Sequence, residues 1–262
     1  MEEKNLLEVV KPQQVAPASD VKKVICDALE NPVGCKPLEE LVTPESRVVI
    51  ISDDISRPTP VREILEVLLP KLHKAGIPRE QIKIVMALGS HRYMTEAEMR
   101  TKVGDEIFES YQVVNSEFRD PDGLIDLGHA DDGSVIQVSR VVMDGDFRIG
   151  IGNIVPHPAM GWSGGGKILY PGVTSEQTVM QFHLLQGLAN ENLFGMDECP
   201  IRLGVEKWVD VIGLDFIINT ILDPSLQLYK AVAGHYVQAH RQGVNYAKEV
   251  FGCPIAARAD VA

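Results

Sequence analysis

The residues able to do chemistry fall in a few short stretches. Gly161-W-S-G-G-G-K-I-L-Y-P-Gly172 holds Lys167 behind Gly164, Gly165 and Gly166. Asp53-D-I-S-R-P-T-Pro60 holds Asp54, Ser56 and Arg57, and Gly89-S-H-Arg92 holds Ser90, His91 and Arg92. His157 lies ten residues before Lys167, and His183 sixteen after it. Glycine permits close backbone approach to a ligand, so a lysine held there suits phosphate contact or covalent attachment. Two histidines can each act as acid or base near neutral pH. An arginine beside them suits a carboxylate substrate.

Gly161, Gly166 and Lys167 fit most of a P-loop, but Ile168 stands where that motif needs Ser or Thr to hold magnesium. The segment Pro156-H-P-A-M-Gly161 also separates the glycines from the strand that should feed them. Each candidate has a structural alternative. Asp54 and Ser56 can cap the following helix, and Arg57 can be a surface charge. His91 and His157 can be satisfied structural histidines, and His183 a core residue or a metal ligand. His73, His129, His235 and His240 are read as structural or solvent-facing, and Trp162 as a packing residue.

The elements that would position these residues follow from apolar patterning. Arg47-V-V-I-Ile51 and Ile82-K-I-V-M-A-Leu88 are short β-branched runs of the buried-strand kind, and Phe147-R-I-G-I-Gly152 is a third. After the first comes a helix with Thr59 as its cap, Pro60 in its first turn and an apolar stripe of Val61, Ile64, Leu65, Leu68 and Leu72. Gly76 and Pro78 end it. Thr95-E-A-Glu98 is a capping box opening the next helix, and Thr174-S-E-Gln177 opens the helix that carries His183. Further helices are predicted over residues 20–29, 200–209 and 235–251, a strand over 214–219, and a β excursion around Asp132-Gly133 and Val135–Val138. Strand–loop–helix repetition predicts an α/β fold, Rossmann-like, with a mainly parallel sheet and helices on both faces. Residues 53–60, 89–92 and 154–172 then share the carboxyl edge of the sheet, where open α/β folds bind ligands.

The 262 residues carry a net charge of −12 with a pI near 5.0, which disfavours nucleic acid or an anionic membrane as partner. No apolar run approaches the length of a membrane span. Cys26, Cys35, Cys199 and Cys253 form no CxxC pair, and are expected as mostly buried thiols in a reducing cytoplasm. Residues 1–19 read as an N-terminal arm and 20–258 as one cofactor-binding catalytic domain. Residues 259–262 look like the opening strand of a second, C-terminal domain that the chain lacks.

At its chemical residues the sequence resembles the nickel-dependent lactate racemase family. The matching pieces are Asp54-I-S-R-P-T-Pro60, Gly89-S-H-Arg92, Pro156-His157, Ser163-G-G-G-K-I-L-Y-P-Gly172 and His183, in order and at matching intervals. The resemblance implies an isomerase, a racemase or epimerase of a small 2-hydroxy acid such as lactate, working by hydride removal and return. Its cofactor would be pyridinium-3,5-bisthiocarboxylic acid mononucleotide carrying nickel, the nickel pincer nucleotide, covalently tethered to Lys167 and supplied by cofactor-assembly enzymes. His183 would ligate the nickel, and His91 and His157 would be the acid–base pair. Arg57 would orient the substrate; Asp54, Ser56, Gly165 and Gly166 would sit at the cofactor. The chain departs from the pattern in Ser56, where Thr is more usual, and in ending where the family's closing domain would begin. A nucleotide- or phosphate-binding transferase without nickel, or a non-catalytic binding domain, would use the same rim.

Overall fold

The computed structural model describes residues 6–188 and 192–255, so the domain start expected at 259–262 lies outside the described residues. A six-stranded sheet forms the centre. Its strands are β1 (Val48–Asp53), β2 (Ile82–Ala87), β3 (Gln112–Asn115), β6 (Phe147–Asn153), β9 (Phe216–Leu222) and β10 (Leu228–Gly234), in the order β10-β9-β6-β1-β2-β3. All neighbours run parallel except β10, which pairs antiparallel with β9. The small ribbons β4 (Leu124–His129) with β5 (Val135–Ser139), and β7 (Pro156–His157) with β8 (Gly161–Trp162), stand outside it.

Strand alternation divides the core into layers. Val48 and Ile50 face one side, packed with α1 (Val21–Glu30), α2 (Leu38–Leu41) and α3 (Val61–Lys74). Val49 and Ile51 face the other, toward residues of α6 (Arg140–Met143), α7 (Glu176–Leu188), α8 (Pro200–Ile212) and α9 (Gln238–Phe251). Between β2 and β3 lie α4 (Glu96–Val103) and α5 (Asp105–Ser110). The stripe Val61, Ile64, Leu65, Leu68 and Leu72 is fully buried as its spacing predicts. Each such aliphatic side chain contributes about 1.5–3 kcal/mol by leaving water. The described part of the N-terminal arm runs over the surface. It is clipped by Gln13 N–H to the Val250 carbonyl and Ala18 N–H to that of Leu228, both at 2.7 Å.

Several local expectations change. Thr59 does not cap α3; its hydroxyl donates to the Asp53 carboxylate. At α7 the cap is Ser175, whose Oγ accepts from Thr178 N–H at 3.2 Å, while Thr174 turns back to the Pro171 carbonyl. The Thr95–Glu98 capping box forms as expected. The third helix of the sequence reading begins at Gln238 rather than 235. Only Cys199 is buried; Cys26, Cys35 and Cys253 are half-exposed, with Cys26 on the outer side of α1 donating to Glu30. Among the described residues no helix is long and apolar enough to cross a membrane.

One buried ion pair ties the exit of β1 to the surrounding helices. Lys102, at the end of α4 and 6% exposed, lies 2.9 Å from Asp53 Oδ1 and donates to the Arg57 carbonyl at 2.7 Å. Burial pushes the Asp53 carboxyl up, and Lys102 and Thr59 oppose that push. Removing one partner strands the other charge in the core, which costs about 3–5 kcal/mol. Lys102→Met should therefore lower the unfolding free energy by about that amount in urea titrations. Adding Asp53→Asn should restore most of the loss; a double variant no more stable than the single one would show that the pair is not its origin.

Candidate functional site

The carboxyl ends of β1, β2 and β6 open into one cleft of about 410 Å³. Asp54, Arg57, His91, His157, Lys167 and His183 all line it, delivered by the three loops and α7. Ser90 lines it as well, whereas Arg92 is drawn into an ion pair with Glu98 at 2.6 Å.

Lys167 owes its position to the glycines before it. Gly164 and Gly165 adopt φ of +77° and +60°, the left-handed region in which a side chain is strained. Space is equally restrictive. A Cβ on Gly164 would come within 2.7 Å of Ile154, on Gly165 within 3.0 Å of the His240 ring, and on Gly166 within 2.6 Å of Val209. Gly165 and Gly166 are thus buried beneath the turn, packed against protein, and only Gly164 of the three reaches the cleft wall. Asn219 on β9 accepts the Gly165 N–H at 2.7 Å, and His240 on α9 donates from Nε2 to the Ser163 carbonyl at 2.8 Å. Lys167 sits in a short 3-10 turn over residues 165–168, and the next α-helix starts only at Glu176. That is not the strand–loop–helix of a P-loop, and Ile168 packs over Gly150 where a magnesium-binding hydroxyl would be needed.

The two histidines are held in opposite senses. Asp54, 4% exposed, accepts at Oδ1 from Ser56 N–H (2.9 Å) and Ser56 Oγ–H (2.6 Å), and at Oδ2 from His91 Nδ1. Burial would raise the Asp54 carboxyl, but the bonds from Ser56 and His91 outweigh it and hold it below the usual range. An ionised Asp54 fixes the His91 proton on Nδ1 and leaves Nε2 with a lone pair. Neither Asp54 nor Ser56 caps α3. His157 is the reverse: its Nδ1 accepts from Ala159 N–H at 3.1 Å, which puts the neutral ring's proton on Nε2.

Asp53 and Asp54 line the cleft beside Arg57 and Lys167, but the charges that act on Lys167 and His157 are cations. The side-chain amine of Lys167 has no hydrogen bond or ion pair among the described residues. Burial first, then the charges of Arg57 and Arg202, bring its amine down to about 8. Burial, followed by Lys167, Arg202 and Arg57, lowers His157 to about 4. Arg202 is fully buried on α8, where it donates to the Met160 and Trp162 carbonyls and lies 3.7 Å from Glu206. The sequence reading missed Arg202, Asn219 and His240 as supports of the site; an arginine on an amphipathic helix carries no local sign that it points inward. His183 is exposed on α7, its ring edge-on to Phe182. No group of three or more His, Cys, Asp or Glu among the described residues could hold a metal.

His157 should titrate with a midpoint near pH 4 in ring-proton NMR, and that midpoint should rise in Lys167→Met, which removes a neighbouring cation. The sign for stability follows. The folded value lies below the unfolded one, so the contribution is complete above the ordinary histidine range and is lost as pH falls toward about 4. A midpoint unmoved by Lys167→Met would show that the two groups are not coupled.

Residues 1–194 match the family model described as the lactate racemase N-terminal domain. The lactate racemase of Thermoanaerobacterium thermosaccharolyticum is 31% identical over 229 residues, covering 87% of this chain and 54% of that protein. The lactate racemase of Lactiplantibacillus plantarum is 30% identical over the same extent. The chain spans about half the length of the curated relatives it matches. The solved structure of the T. thermosaccharolyticum apoprotein superposes with a TM-score of 0.85 at 28% identity, covering 95% of this chain and 59% of that one. A Thermotoga maritima protein at 22% identity and TM-score 0.71 shares the fold. With the matched family model spanning most of its length, this chain belongs to the lactate racemase N-terminal domain family.

Proposed function

We propose that this chain is the cofactor-carrying half of a cytoplasmic 2-hydroxy-acid racemase or epimerase, with lactate the first substrate to test. The observation that carries the reading is the unpaired Lys167 amine in a cleft where cations act on it, flanked by two histidines with opposite free-nitrogen chemistry. The residues fit a tethered pincer nucleotide carrying nickel. Lys167 offers an amine for the tether, Arg57 and Arg202 favour its anionic groups, and His183 offers one imidazole to nickel. When bound, that group would supply the hydride acceptor and donor of the reaction.

The protein's own work is positioning and proton transfer. Arg57, exposed and without a side-chain partner among the described residues, would bind the substrate carboxylate. His91 Nε2 would take the hydroxyl proton, and Asp54 would stabilise the imidazolium that forms. His157 would stand toward the other face as hydrogen-bond donor. An anion in the cleft, or conversion of the Lys167 amine to an uncharged link, would raise its proton affinity by removing a cationic effect that adds to burial. Inversion needs an acid–base group on each side, and this pair provides it. Cofactor-assembly enzymes would be the loading partners. The phosphate-transferring alternative loses support from the 3-10 turn and from Ile168.

The test is a chain extended to the length of its relatives, produced with cofactor-assembly enzymes, then analysed by intact mass, metal content and chiral chromatography of 2-hydroxy acids. We expect a covalent increment on Lys167, bound nickel and racemisation. Lys167→Ala should lose all of these, and His183→Ala should keep the increment and lose nickel. His91→Ala and His157→Ala should keep cofactor and metal while turnover falls by about 10²–10⁴-fold. Full activity in Lys167→Ala would overturn the assignment.

A further inference from the structure

Lys167 is unusual among the lysines of this chain. Lys22, Lys23, Lys71, Lys83, Lys102 and Lys248 are ion-paired to carboxylates. Lys167 is half-buried at the wall of a cleft, its amine without hydrogen bond or counter-ion among the described residues, and the charges acting on it are cations. An amine there gains little from being protonated. Its backbone is fixed by the Gly165–Asn219 bond and the close packing of Gly164 to Gly166, so the nucleophile is held in place before any ligand arrives. Arg57 lines the same cleft with its guanidinium unengaged among the described residues, ready for an anionic group. A volume of about 410 Å³ suits a small ligand with a ring or a short chain.

We propose that the free protein captures small anionic aldehydes in this cleft as Schiff bases on Lys167, a reactivity separate from any racemase role. The neutral amine adds to the aldehyde carbon to give a carbinolamine. The carbinolamine hydroxyl then leaves as water with the proton from nitrogen, and a C=N bond forms; nothing is oxidised or reduced. Arg57 binds the phosphate or carboxylate of the aldehyde and so raises the local concentration of the carbonyl beside the amine. The amine's depressed affinity for protons keeps a usable neutral fraction at neutral pH, where an ordinary lysine has almost none. The cleft is open to water, so the imine forms reversibly.

Borohydride trapping tests this on the folded protein without cofactor. Pyridoxal 5′-phosphate and glyoxylate supply a phosphate and a carboxylate, and pyridoxal is the control lacking either, each rate being taken relative to that aldehyde's rate with a free lysine side chain because pyridoxal closes on its own 5′-hydroxyl. After reduction and peptide mapping, both anionic aldehydes should label Lys167 ahead of the solvated Lys11, Lys74 and Lys207, and pyridoxal should do so at least about tenfold more slowly. A response to only one of them would identify which anion Arg57 accepts. Arg57→Ala, at an exposed position that does not threaten folding, should slow the anionic reagents about tenfold more than it slows pyridoxal, which feels only the rise of the amine once that cation is gone. Lys167→Arg should lose the adduct while keeping the far-ultraviolet circular dichroism of the wild type. Uniform labelling of all lysines, or equal rates for pyridoxal and its phosphate, would overturn the proposal. Failure of cofactor loading or racemisation would leave these rates untouched, so the two readings fail separately.

Discussion

The hydrogen bond from Gly165 N–H to Asn219 Oδ1 is the constraint on which the site depends. Both partners are buried, and a peptide N–H left without an acceptor at such depth costs about 1–3 kcal/mol. The bond forces the glycine-rich turn down onto β9, which is possible only because Gly164, Gly165 and Gly166 carry no side chains to strike Ile154, His240 and Val209. Pressed into that space, the turn presents Lys167 upward and little else. β9, α8 and α9 thus meet under one residue's backbone, although none of them supplies a site residue expected from sequence. The function of those distant elements is to make the lysine's position unavoidable.

Electrostatics then decides what the positioned groups are. Lys167, Arg57 and Arg202 act on one another and on His157 inside a chain whose net charge is −12. Of the two carboxylates that line the cleft, Asp53 is paired with Lys102 and Asp54 is bonded to Ser56 and His91. The local balance is therefore positive, and burial amplifies it. Both neighbouring bases respond in the same direction, toward their neutral forms. An anionic ligand would offset the charges that act on both groups at once. Arg202 contributes without touching solvent; anchored to the Met160 and Trp162 carbonyls, it fixes both the backbone that leads into the turn and part of the field above it.

What was legible in the sequence follows from how local the signal is. β1, β2 and β6 are buried on both faces, so continuous β-branched runs announce them, and their loops could be assigned to one edge. The edge strands β3 and β10 are partly solvated, lose the continuous pattern and were not anticipated. Capping residues were misread where a side chain had a better partner just upstream: Thr59 serves Asp53, and Thr174 serves Pro171, though each precedes a helix. Six of the nine expected site residues share the cleft because motif order and topology constrain them together, whereas Ser56, Gly165 and Gly166 do not line it. Their supports, Asn219, His240 and Arg202, were illegible because each acts through a contact with a residue more than thirty positions away.

The symmetry that the sequence suggests, one histidine for each face of a substrate, is broken in the folded cleft. His91 is fixed by the Asp54 carboxylate, which holds its Nδ1 proton and leaves Nε2 with a free lone pair. His157 is fixed by a peptide N–H that occupies one nitrogen as acceptor, and it is surrounded by cations that resist a second proton. A reaction running both ways over a planar intermediate needs the two to exchange roles. With Asp54 permanently beside His91, only the environment of His157 is free to change. The groups acting on it are Lys167, Arg202, Arg57 and His183, and of these Lys167 is the one whose charge covalent chemistry can abolish. Attachment at Lys167 would then do more than anchor a cofactor, because losing that ammonium charge removes the largest of the cationic effects that, after burial, hold down the second histidine's proton affinity.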